Sequence, residues 1–125
     1  MRVPAKAAPF FAAPEPRLKV QIWVQAQIRL CDVNLIQAVV VRRGDADAGA
    51  VVMRLIRGVQ KSVLLRRQIQ ADGTSKWEPA GGAGELDDAA AEAYLAREIK
   101  RDPDLWIVEV DDPKGRYWPD KAITP

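Results

Sequence analysis

Between residues 38 and 78 the chain carries four short β-favouring runs, each closed by a turn signal, and this succession constrains the fold more than any other feature. Ala38 to Arg43 (AVVVRR) ends in Gly44-Asp45-Ala46-Asp47-Ala48-Gly49, a cluster of turn-forming residues. Ala50 to Arg57 (AVVMRLIR) makes a second strand and stops at Gly58. Ser62 to Ala71 makes a third, and Thr74 to Glu78 returns as a short fourth. Asp72-Gly73 between the last two is the strongest hairpin signal in the chain, because a type I′ turn needs positive φ at both central residues. Four strands in this order predict an antiparallel meander. A two-residue turn would set Ala71 opposite Thr74, Gln68 opposite Trp77 and Arg67 opposite Glu78, the last as a cross-strand ion pair.

Helical signals flank the meander. Asp87 or Asp88 is placed to cap a helix running to Arg101, with acids in its first turn and Arg97, Lys100 and Arg101 near its end, as the helix dipole favours. Ala91, Tyr94, Leu95 and Ile99 form its apolar stripe, and Asp102-Pro103 stops it. Leu105 to Val110 (LWIVEV) then reads as a strand. Leu18 to Asp32 carries two periods at once: near-strict alternation suits a strand, whereas the row Leu18, Ile22, Ala26, Leu30 suits one helical face. Fifteen residues are long for a strand, so helix is the preferred reading. The expectation is an α+β fold: helix, four-stranded antiparallel meander, helix, and a fifth strand in the same sheet.

A chain of 125 residues suits one domain. Pro4, Pro9, Pro14 and Pro16 break up the apolar stretches of the first sixteen residues before they reach signal-peptide length, so a flexible tail is the preferred reading and a targeting segment the alternative. Residues 17–112 form the expected domain, and residues 113–125 read as a loosely attached C-terminal tail. No apolar run approaches the roughly 20 residues of a membrane-spanning helix, so no membrane association is expected. Cys31 is the single cysteine, which forbids an intrachain disulfide and suits a cytoplasmic protein.

The chain has no histidine. That removes the commonest general base, the commonest zinc ligand and every Ser-His or Cys-His nucleophile. Other motif fragments fail at specific positions. Gly81-Gly82-Ala83-Gly84 precedes a helix as a phosphate loop would, but Pro79 stands before it and Glu85, Asp87 and Asp88 would repel an anion. Asp45-Ala46-Asp47 opens like a calcium loop, yet Ala50 and Ile56 occupy the glycine and glutamate positions. Arg43-Gly44-Asp45 is a chance match to a cell-adhesion tripeptide. Asp104 with Glu109 and Asp111 suggests a metal-dependent nuclease, but both acidic elements lie on one strand and Lys114 falls beyond a proline. No cofactor, metal ligand or catalytic residue is assigned.

Charge is divided along the chain. Residues 38–70 carry seven basic residues against two acids, and residues 78–112 carry eleven acids against three basic residues. Such a split predicts either two faces of opposite sign or two layers that neutralise each other. Arg42, Arg54 and Arg66 recur every twelve residues, and Arg43 and Arg67 echo them. Gathered on one sheet face beside Trp77, these arginines would offer a platform for phosphates and a stacked base. Spent against the acidic helix, they would be structural. Trp23, Trp77, Trp106 and Tyr94 read as core and boundary residues, or as a partner-binding patch if two are exposed together.

Ile22-Trp23-Val24-Gln25-Ala26, Val41-Arg42-Arg43-Gly44-Asp45 with Ala48-Gly49-Ala50-Val51, Tyr94-Leu95-Ala96-Arg97-Glu98, and Asp102-Pro103-Asp104-Leu105-Trp106-Ile107-Val108-Glu109 together form a familiar pattern. Over about residues 17 to 116 the chain resembles the alphaproteobacterial domain-of-unknown-function family number 1491. The resemblance implies a small cytoplasmic bacterial protein of α/β type and no particular activity. One departure falls at Asp32 to Gln37, where a glycine-containing link is expected. The preferred function is a non-catalytic binding or protein-interaction module, with an unknown protein partner or self-association. The alternative is a nucleic-acid-binding module using Arg42, Arg43, Arg54, Arg66, Arg67 and Trp77. An enzyme resting on acids, Lys, Tyr or a metal is the third.

Overall fold

Seven elements follow one another in the chain: α1 (Val20–Val33), β1 (Gln37–Arg42), β2 (Val51–Gly58), β3 (Lys61–Ile69), β4 (Ser75–Ala80), α2 (Asp88–Arg101) and β5 (Trp106–Asp111). The computed structural model describes residues 18–69, 71–82 and 84–125, and the tail expected over residues 1–16 lies outside them. The strands form one five-stranded sheet in the order β1-β5-β2-β3-β4. The fold is α+β with a single mixed sheet and two helices.

The sheet corrects the expected four-stranded meander. β2, β3 and β4 do pair antiparallel in sequence. β1 does not pair with β2, however, because β5 enters between them, antiparallel to β1 and parallel to β2. The reason lies in LWIVEV: Trp106, Ile107, Val108 and Val110 are all buried, which needs cover on both faces and a neighbour on both edges. Placing this run inside and the half-exposed β1 outside removes the most apolar surface from water.

The connection from β1 to β2 is therefore no hairpin turn but a loop crossing the entrance of β5. Asp45 N–H donates to the Asp104 carbonyl at 3.0 Å, and the Trp106 indole donates to the Asp45 carbonyl at 2.7 Å. A Cβ on Gly44 would overlap the Asp104 carbonyl oxygen, and one on Gly49 would lie 2.5 Å from it. This loop also caps α1. Lys19 offers no side-chain cap, and the Ala46 carbonyl accepts instead from Gln21 N–H at 3.0 Å.

The β3–β4 register is shifted by one residue from the expected one. Arg66 lies opposite Glu78, Arg67 opposite Trp77 and Gln68 opposite Lys76, so the Arg67–Glu78 cross-strand pairing does not form. The connection is longer than two residues, and an Asx turn shapes it, with Asp72 accepting from Thr74 N–H at 3.0 Å and its hydroxyl at 2.7 Å. The shift decides which face Trp77 covers. In the expected register it would share the α2 face with Leu64; here it shares the α1 face with Leu65.

Each helix covers one face of the sheet. Leu18 to Asp32, which carried both periods, folds as α1, and its buried Val20, Trp23, Val24 and Cys31 pack on Met53, Leu55, Leu65, Trp106 and Val108. α2, capped by Asp87 through Ala90 N–H at 2.8 Å, sets Ala91 and Leu95 on Val52, Leu64 and Ile107. Residues 113–125 are not a loose appendage. Tyr117 is buried in the α1-side core and donates to Gln27 at 2.5 Å, and Asp112 accepts from the Tyr117 and Arg116 N–H groups.

Candidate functional site

The arginines singled out in the sequence do not gather on one open face. Arg54 and Arg66, alternating along β2 and β3, point to α2. Arg54 is buried, bonds the Ser62 hydroxyl at 3.2 Å, and sits among Asp88 at 3.3 Å, Glu92, and Glu109 at 3.6 Å. Arg66 pairs with Glu98, which also meets Arg101 at 3.3 Å. The basic strands and the acidic helix thus neutralise each other across the layer, one of the two arrangements that the charge split predicts.

The remaining arginines are spread over the opposite face and the margins. Arg67 lies over the Trp23 ring at 6.0 Å, on the α1 side. Arg43 lies over the Trp106 ring at 5.3 Å, and Arg42 donates to the Pro103 and Leu105 carbonyls at 2.9 and 2.8 Å. Trp77 is buried and stacked on Trp23. No flat platform for phosphates and bases is assembled from these residues.

Protein groups occupy the fragments that resembled ligand loops. The N-terminus of α2 is filled by the Asp87 carboxylate, and Asp88 N–H donates to Gln60 Oε1 at 3.0 Å. Asp45 accepts from Asp47 and Ala48 N–H, the latter at 2.8 Å. Glu109 faces Arg54, whereas Asp111 is exposed at the end of β5. Among the described residues no group of three or more His, Cys, Asp or Glu side chains is placed to hold a metal ion. No helix among them is long and apolar enough to cross a membrane.

What the sequence reading missed is the contrast between the two sheet edges. β4 (SKWEPA) carries Lys76, Glu78 and Pro79, the devices that stop an edge from recruiting another strand. β1 (QAVVVR) has none of them before Arg42, and Val39, Val40 and Val41 are 47%, 42% and 52% exposed. A register shift between Val40 and Arg42 disturbs the far end of β1, while Gln37 to Val40 pair regularly with Asp111 to Val108. Composition carried this signal: a valine run without charge is suspect only once it is known to lie at an edge.

Beside this edge, α1 and β1 enclose an open groove of about 510 Å³. Val24, Ile28, Ala38 and Val40 line its apolar part, and Arg29 and Asp32 line its polar rim. The patch continues into the α1–β1 link, where Leu35 is 93% exposed and held at φ +60°. Leu35 N–H donates to the Asp32 carbonyl at 3.1 Å and Ile36 N–H to the Cys31 carbonyl at 2.9 Å, the paired bonds of a Schellman motif. The link at which a glycine was expected does require a left-handed residue, and Leu35 supplies it.

The family described as "Protein of unknown function (DUF1491)" matches residues 18–118. The crystal structure of a DUF1491 family protein from Caulobacter crescentus CB15 is similar, at 31% identity over 86% of this chain and 100% of that one, with a TM-score of 0.75. The NMR structure of a DUF1491 family protein from the same organism gives 30% identity over 86% and 97% of the two chains and a TM-score of 0.72. A solution structure of a protein from A. tumefaciens gives 28% identity over 77% and 86%, with a TM-score of 0.65. No curated protein matches the chain.

Proposed function

The chain belongs to the DUF1491 family of proteins of unknown function, and from that premise we propose that it is a small non-catalytic interaction module whose β1 edge accepts an extended segment of a protein partner. The observation that carries this reading is the contrast between the sheet edges. One sheet has β4 guarded by Lys76, Glu78 and Pro79, and β1 left open with three exposed valines. An added strand would form main-chain hydrogen bonds along Gln37 to Val40, and the neighbouring groove would take alternate side chains.

The arginine arrangement supports this reading over nucleic-acid binding, since Arg54 and Arg66 are committed to carboxylates of α2. The test is selection of extended peptides from a displayed library against the full chain, followed by amide mapping. Shifts confined to residues 37–41 and the α1 rim, lost in Val40→Pro with the rest of the spectrum intact, are the expected result. Selected peptides that leave those amides unmoved, or a reproducible turnover abolished by Asp104→Ala, would overturn it.

A further inference from the structure

We infer that the occupant of the β1 edge is a second copy of this chain, joined antiparallel, β1 to β1, about a twofold axis to give a continuous ten-stranded sheet. This rests on the proposed interaction role of the edge and names its partner.

Three features support self-pairing over a foreign strand. First, an isologous contact needs a surface complementary to itself, and QAVVVR provides one. A twofold passing through Val39 sets Val39 opposite its own counterpart, Ala38 opposite Val40 and Gln37 opposite Val41, with a β-branched pair at the centre and no charges facing. Second, the rim of the groove carries one exposed cation and one exposed anion, Arg29 and Asp32, near the end of α1 that leads into β1. Neither makes an ion pair within the described residues. A twofold at the β1 edge would keep both copies of α1 on one face of the joined sheet, with the C-terminal turns that rim the groove facing each other from either side of the axis. Arg29 of each copy would then meet Asp32 of the other, two identical pairs from one of each charge. Third, the exposed Val33 and Leu35 continue the apolar patch from the end of α1 to the start of β1.

The charge arrangement yields a test that a merely structural role would not satisfy. Arg29→Asp puts like charges across the axis, and so does Asp32→Arg. Arg29→Asp with Asp32→Arg in the same chain restores both pairs with the signs exchanged. Sedimentation of the full chain across concentration should show a species of twice 13.8 kDa. Each single reversal should weaken association by about five- to tenfold, and the double reversal should recover most of it. Val39→Lys with Val40→Lys, a lysine block on the edge, should leave a folded monomer by circular dichroism.

A chain that stays at 13.8 kDa up to about 1 mM overturns the second-copy inference. So does a dimer unaffected by the lysine block, or a double reversal weaker than either single one. The interaction role of the edge is judged separately, by peptide-induced shifts at residues 37–41. A monomer that still shows them loses only the second copy, and one without them loses both.

Discussion

Trp77 of β4 stacks on Trp23 of α1, with ring centroids 5.3 Å apart and planes inclined by 19°. Both indole N–H groups donate to one carboxylate, that of Asp120, each at 2.8 Å. One residue near the C-terminus thereby ties the first helix to the last strand of the β2–β4 meander. Asp120 is itself held at φ +62°, a conformation that Asp and Asn tolerate better than most residues.

Removing that carboxylate leaves two largely buried donors without acceptors. Asp120→Ala should cost about 2–4 kcal/mol in chemical denaturation, the sum of two unsatisfied groups, and shift tryptophan emission as the indoles find water. Asp120→Asn keeps one acceptor and the left-handed preference, so it should lose less. Equal losses in the two variants would mean that the indole bonds do not hold the segment.

Arg54 predicts an asymmetry within one ion pair. Its side chain is 7% exposed, whereas that of Glu92 is 68% exposed. Arg54→Ala strands Asp88, Glu92 and Glu109 around a vacated site and should cost about 3–5 kcal/mol. Glu92→Ala leaves the guanidinium two other carboxylates and should cost under about 1 kcal/mol. Equal costs in denaturant melts would show that Arg54 is less enclosed than its burial implies.

The Schellman turn after α1 offers a stabilising change. Leu35 sits at φ +60° with its side chain in water, so it carries left-handed strain without the return of burial. Leu35→Gly should raise stability by about 0.5–1 kcal/mol, the relief of strain less the entropy of glycine. The measurement is the denaturation midpoint at a concentration too low for association. A loss of stability would mean that Leu35 packs on a neighbour in solution.

Local chemistry was legible in the sequence and long-range order was not. Asp87 as helix cap, the Ala91–Leu95 stripe and the stop at Asp102-Pro103 all depend on neighbours within a few positions, where residue type nearly decides geometry. The place of β5 depends on which strand gains most from two-sided cover, a competition among segments up to seventy residues apart. LWIVEV held the clue in its near-continuous apolar run, as interior strands do. The exposed β1 edge follows from that insertion, so the candidate interface could not be seen before the strand order was known. Trp77 slipped for a similar reason: a distant partner, Trp23, outweighed the turn signal at Asp72-Gly73.

Cys31 ties stability to alkaline pH. It is fully buried between α1 and the sheet, and burial, with a smaller contribution from Asp112, pushes its thiol from 9.0 up to about 11. Burial also raises the Tyr117 hydroxyl, with Cys31 and Asp120 adding to the effect. An acid whose folded pKa lies above its unfolded one favours the folded state fully below the unfolded value. That contribution is lost as pH climbs toward the folded value, here between about 9 and 11. For Cys31 the loss amounts to roughly 2–3 kcal/mol. Cys31→Ala lowers stability at neutral pH by leaving a cavity, but it should flatten the decline between pH 9 and 11 relative to the parent chain. Parallel alkaline slopes for the two proteins would show that the thiol ionises without cost in the folded state. A thiol reagent at pH 8 should correspondingly label Cys31 only at the rate of unfolding.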